Sequence, residues 1–234
     1  MGATADDVRA ALRAAGNADD AVFLQRFFKT GPGQYGEGDV FYGVRVPATR
    51  AIVKGFRDLP LDEIDLLLDD PVHECRLAAV LLLVARYRSE PDAVFDRYLA
   101  AVYRGRVNNW DIVDSSAEFI VGPHLGGGDR SLLFELADSP SLWQRRVAVL
   151  STFHFIKQGD PSTTFALAEL LLKDPEDLMH KAVGWMLREV GKRVDRTALL
   201  GFLDDHAAAM PRTMLSYATE HLAPEQRAHY RALK

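Results

Sequence analysis

At 234 residues, 48% hydrophobic and 26% charged, the chain has the composition of an ordinary folded protein, which excludes disorder along most of its length. Its formal net charge of −5 excludes a protein that coats nucleic acid indiscriminately, yet leaves room for a basic face on an acidic body. No apolar run reaches the roughly 18 residues of a membrane span, MGATADDVRAALRAAG lacks the pattern of a secretory signal, and the lone Cys75 has no partner for an internal disulfide, so a cytoplasmic protein is predicted.

The opening segments ATADDVRAALRAAG and NADDAVFLQRFFKT carry apolar residues at helical spacing with Asp in the first turn, and predict a pair of helices. GPGQYGEGDVFYGVRVPATR follows, where repeated Gly and two prolines interrupt any helix. This segment reads as a loop, and without a preceding strand or a GK[ST] tripeptide it is not a phosphate-binding loop. From Pro47 onward, helical stretches alternate with breaks such as Leu59-Pro60, Asp70-Pro71, Glu90-Pro91, Ser139-Pro140, Asp174-Pro175 and Met210-Pro211. No alternating strand pattern is present, which predicts an all-α fold.

Arg76, Asp111, Arg146 and Lys181 recur at a constant interval of 35, and Arg212 follows after 31. That interval is the length of a helical hairpin and predicts an α-solenoid of stacked helix pairs forming one domain over residues 1–234. Pro140, Pro175 and Pro211 are placed to open the second helix of their pairs. Trp110, Trp143 and Trp185 lie in or just before the repeated segments, with Asp114, Arg145, Arg146 and Arg188. On a helical wheel, Trp110, Arg145, Asp114, Trp185, Arg188 and the repeated positions span about 140°, so they predict one mixed aromatic and charged working surface. The structural alternative is that the tryptophans fill cores between helices, Trp143 above all, while the charges pair across neighbouring repeats. Glu118, four residues after Asp114, fits a solvated or helix-pairing role better than a paired-carboxylate site. The seven histidines form no HExxH or His/Cys cluster, so neither a metal nor a cofactor is predicted.

At NWDIVD, WQRRVAVL and HKAVGWMLREVGK the chain resembles the DNA alkylation repair family of HEAT-like-repeat DNA glycosylases, the alkylpurine glycosylase D proteins. The resemblance implies a right-handed superhelix of helix pairs with a positively charged concave cleft for duplex DNA, acting as a monomer. It also implies hydrolysis of the N-glycosidic bond of N3- or N7-alkylated purines, with the lesion read through the backbone rather than in a base pocket. Trp110 and Trp185 would flank the lesion nucleotide, Asp114 would be the catalytic carboxylate, and Arg146 would hold the phosphate backbone, with Arg145, Lys181 and Arg188 on the same DNA-binding face. Phe27 would stand where relatives carry a DNA-facing tyrosine. The residue types suit that chemistry. An alkylated purine is already cationic and leaves readily, a carboxylate stabilises the positive charge that develops on the sugar, and indole faces attract cations by on the order of 0.5–2 kcal/mol each. A non-catalytic protein that binds damaged or unusual DNA, and a protein-binding helical scaffold, are the alternatives.

Overall fold

Thr4 starts the first helix with a reciprocal cap: its hydroxyl accepts from the Asp7 backbone N–H, and the Asp7 carboxylate accepts from the Thr4 N–H at 2.8 Å. Asn17 caps the second with its side-chain carbonyl alone, accepting from the N–H groups of Asp19 and Asp20. The predicted opening pair is thus α1 (Ala5–Ala14) and α2 (Ala18–Phe27). The computed structural model describes residues 2–233, so Met1 and Lys234, the ends of the predicted domain, lie outside the described residues. Among those described there are fifteen α-helices and no strand, as the all-α reading requires.

The chain divides into two compact units, Met1–Ile120 and Val121–Lys234. In the first, the Gly-rich segment after α2 is irregular apart from one bridge between Val40 and Val72. Gly43 sits there at φ +84°, and a Cβ on it would lie 2.0 Å from the Asn17 carbonyl oxygen. Only glycine allows the loop to lie this close to the start of α2. Helices α3 (Val46–Val53), α4 (Leu61–Leu68), α5 (His73–Arg86), α6 (Pro91–Tyr103) and α7 (Trp110–Asp114) follow, and α8 (Ala117–Leu125) contains the boundary between the units. α5 is central: every residue from His73 to Leu83 is buried, and α1, α3, α4, α6 and α7 all pack against it. This explains why its sequence is apolar around the whole helix rather than along one stripe.

The second unit holds α9 (Ser131–Ala137), α10 (Leu142–Lys157), α11 (Ser162–Leu170), α12 (Asp177–Arg193), α13 (Arg196–His206), α14 (Arg212–Ala218) and α15 (Pro224–Ala232). α10 packs on α12 and α12 on α14, while α9, α11 and α13 cover them. A Cβ on Gly184 would meet the Met214 carbonyl oxygen at 2.5 Å, so the α12 and α14 backbones touch where a side chain would separate them. Pro140, Pro175 and Pro211 fall one or two residues before α10, α12 and α14. The 35-residue interval therefore picks out helices α5, α7, α10 and α12, with Arg212 opening α14. No described helix is long and apolar enough to cross a membrane.

Candidate functional site

In the first unit the site grows from the start of α7. The Asn109 side chain accepts the Trp110 N–H at 2.9 Å and fixes the first turn, which holds the indole against the α2 aromatics. Trp110 stacks on Phe28, with centroids 5.4 Å apart and rings 24° from parallel, and meets the edge of Phe27 at 6.0 Å. Phe28 in turn stacks on Phe41 of the Gly-rich segment at 5.3 Å and 15°, and Phe27 on Phe23 at 5.9 Å. These rings, with Leu24, Val44, Val46 and Leu77, wall a cavity of about 300 Å³. Phe27 stands at the mouth with 51% of its surface exposed, and Trp110 is half-buried. Asp114 ends α7 one turn beyond Trp110 and is also half-buried, as is Glu118 on α8.

Beneath the aromatics lies a charged cluster that sequence spacing did not reveal. His73, only 2% exposed, bridges two acids, with Nε2 2.9 Å from Asp111 and Nδ1 3.2 Å from Asp39. Burial alone would lower its pKa, but the charge of Asp111 and the hydrogen bonds to Asp111 and Asp39 outweigh it and raise the value to about 9. The imidazole is therefore a cation at neutral pH and donates from both nitrogens. Arg76 donates to Asp39 at 2.5 Å and to the carbonyls of Asp70 and Pro71, and Asn109 donates to Asp39 at 3.3 Å. For Asp39, burial is overcome by these donors, and its pKa falls below the usual carboxylate value. Glu74 accepts three backbone N–H groups, from Tyr42, Gly43 and Val44, and so ties the Gly-rich segment to α5. Two of the repeated charges, Arg76 and Asp111, are thus spent on holding the loop, α5 and α7 together. His73, Asp39 and Glu74 had no motif to announce them, since their partners are 30 to 70 residues away.

In the second unit, Trp185 on α12 is half-buried and meets Phe153 of α10 edge-on at 5.9 Å. The Phe153 ring also carries Lys157 at 4.5 Å and Arg193 at 5.1 Å, so cations already gather around this aromatic pair. Lys181 pairs with Asp177 at 2.8 Å and keeps 39% of its side chain exposed. Arg188 bonds Glu220 and Glu189. Arg145 bonds Asp174 at 2.7 Å and the carbonyls of Ser139 and Pro140. Arg146, read as a phosphate grip, is 5% exposed and donates to the Leu178 carbonyl at the start of α12. Pairing across neighbouring hairpins therefore describes Arg145 and Arg188, whereas Lys181 is the most open to solvent of the four cations expected to face DNA. Trp143 is half-buried. Among the described residues no group of three or more His, Cys, Asp or Glu side chains is arranged to hold a metal ion.

The family model described as DNA alkylation repair enzyme matches residues 8–222 of the chain. Among solved structures, one described as a predicted DNA alkylation repair enzyme from Enterococcus faecalis superposes with a TM-score of 0.71 at 18% identity, covering 89% of this chain and 97% of that one. That likeness shows a common fold. No curated protein matches the sequence.

Proposed function

The chain belongs to the DNA alkylation repair enzyme family, and from that premise we propose that it is a monofunctional DNA glycosylase acting on N3- and N7-alkylated purines in duplex DNA. The observation that carries the reading is the short helix α7, which presents an indole at Trp110 and a half-exposed carboxylate at Asp114 one turn later.

In the proposed reaction the C1′–N bond of the lesion breaks and its electron pair goes to the purine, which leaves uncharged. Positive charge moves onto the deoxyribose, where the Asp114 carboxylate stabilises it and takes a proton from the water that attacks C1′. The products are the free base and an abasic site. Trp110 offers an indole face to the cationic nucleotide, a role that the sequence resemblance gives to Trp185 as well. Lys181 contacts phosphate, while Arg145, Arg146 and Arg188 hold their helices in place through the bonds described above. Phe27 supplies an apolar contact in place of a hydroxyl.

The test is incubation with a duplex containing 7-methylguanine, with abasic sites read by alkaline strand cleavage. Wild-type protein should generate them, and Asp114→Asn should release base about 10²–10⁴-fold more slowly while binding the same duplex. A wild-type protein that binds the duplex but leaves every glycosidic bond intact would establish the non-catalytic reading instead.

A further inference from the structure

A cavity of about 300 Å³ opens in the second unit between the end of α12, the start of α13 and the turn from α14 to α15. The charged side chains that line it are all cationic: Arg188 and Lys192 come from α12 and Arg196 from α13, and His221 of the turn joins them. Gly191 allows the two helices to bring these groups together. A Cβ there would lie 2.3 Å from Leu199 Cδ2, so any larger residue would press on the α13 side chain that lines the same cavity.

The partners of these cations decide which of them are free for a ligand. Arg188 is committed to Glu220 and Glu189, and Glu189 also holds Arg193, so the two acids are matched by charges of their own. Asp195 caps α13 and accepts the Thr197 N–H at 2.8 Å. Lys192, by contrast, is exposed and forms no ion pair among the described residues. Arg196 donates through Nη2 to neutral acceptors only, the Gln226 side chain at 3.1 Å and the His221 carbonyl at 3.5 Å. Those two bonds fix the guanidinium beside the turn, and its Nε and Nη1 remain unbonded among the described residues. Two positive charges therefore line one concavity with no acid bonded to either.

We propose that this cavity is a binding site for a phosphate group. Arg196 offers two donors of a planar fork and Lys192 a compact charge on a flexible stem, and the two arrive from different helices. A tetrahedral anion has oxygens for both directions, whereas a planar carboxylate presents a single edge. The positive end of α13, which begins at Arg196, adds to the same preference. Lys192 follows Trp185 by seven residues, two turns and about 10 Å along one side of α12. The phosphate therefore has two carriers to be told apart: a DNA backbone lying along α12, as the proposed function would supply, and a small phosphate ester in solution. The site itself needs only the anion and takes no part in base release.

Amide NMR spectra of the full chain, titrated with inorganic phosphate at constant ionic strength, test the site directly. The signals of Lys192, Arg196 and His221 should shift and saturate with phosphate and stay in place when chloride replaces it. Lys192→Gln, at an exposed position with no ion pair, should weaken phosphate binding about tenfold while the thermal melt is unchanged. Arg196→Gln should act in the same direction. Signals that phosphate moves no more than chloride does, or wild-type affinity in both variants, would overturn the proposal. Unmodified duplex DNA then separates the carriers: displacement of bound phosphate assigns the site to the backbone, and phosphate that stays bound assigns it to a small ester, with glycerol phosphate as the probe. None of these measurements uses turnover. A protein that leaves 7-methylguanine duplex intact yet shows the phosphate shifts would refute the glycosylase reading and keep this site, and the converse result would do the reverse.

Discussion

The proton on His73 makes the stability of the first unit depend on pH in a window where few other groups titrate. In the folded chain this proton is held to about pH 9, against 6.5 for an ordinary imidazole. The pKa is raised on folding, so the stabilisation is fully present below pH 6.5 and is lost as pH climbs through about 9. The gap between those two values corresponds to roughly 3 kcal/mol, a substantial part of the stability of a small domain. The depressed Asp39 acts at the other end of the scale, since its contribution is lost in acid. A Trp143→Phe/Trp185→Phe background leaves Trp110 as the fluorophore, so urea unfolding followed by its emission reports the first unit. The midpoint should fall steadily between pH 6.5 and 9. In His73→Gln the protein should start weaker by several kcal/mol, because Asp39 and Asp111 stay buried with less positive charge between them, and should show no such decline. A flat wild-type profile, or the same slope in the variant, would refute the assignment of an imidazolium to this cluster.

Further consequences follow from single side chains. Lys181→Ala should reduce the slope of log binding constant against log salt by about 0.9 on duplex DNA while leaving urea unfolding unchanged, as expected for an exposed phosphate contact. Arg146→Ala should behave differently and cost roughly 2 kcal/mol of stability in a denaturation curve, because the buried guanidinium ties α10 to the Leu178 carbonyl. Gly43→Ala should destabilise the first unit by more than about 1 kcal/mol in thermal melts, since the new Cβ meets the Asn17 carbonyl and φ is +84°. Cys75 is buried and its thiol is pushed up to about 12, chiefly by desolvation, so maleimide labelling at neutral pH should track unfolding rather than native-state exposure.

Much of this protein is set by local chemistry and could be read along the chain. Helix starts at Thr4 and Asn17 are specified by side chains within three residues of the groups they cap. The prolines before α10, α12 and α14, and the 35-residue spacing, locate the repeated helices for the same reason: hairpin length and backbone φ are properties of short segments. The family, too, was legible in three short motifs, and its match extends over residues 8–222. What those motifs could not convey was how each charge is used. Arg76 and Arg146 occupy equivalent repeat positions with Lys181, yet the first two are buried in hydrogen bonds and the third is substantially exposed. Periodicity fixes the face of a helix, whereas burial depends on what packs over that face.

The aromatic cavity and the acids around His73 lay further beyond reach. They bring α2 and the irregular Gly-rich segment, which lie outside the 35-residue period, to the starts of α5 and α7, which it marks. The sequence alone determined the helices, their hairpin rhythm and the placement of Trp110 and Asp114 one turn apart on α7. Only the tertiary structure decided that a loop without regular form would carry Asp39 and Phe41 to that helix, because a buried charge must find its partner in space and the chain offers no local signal of where that partner will be.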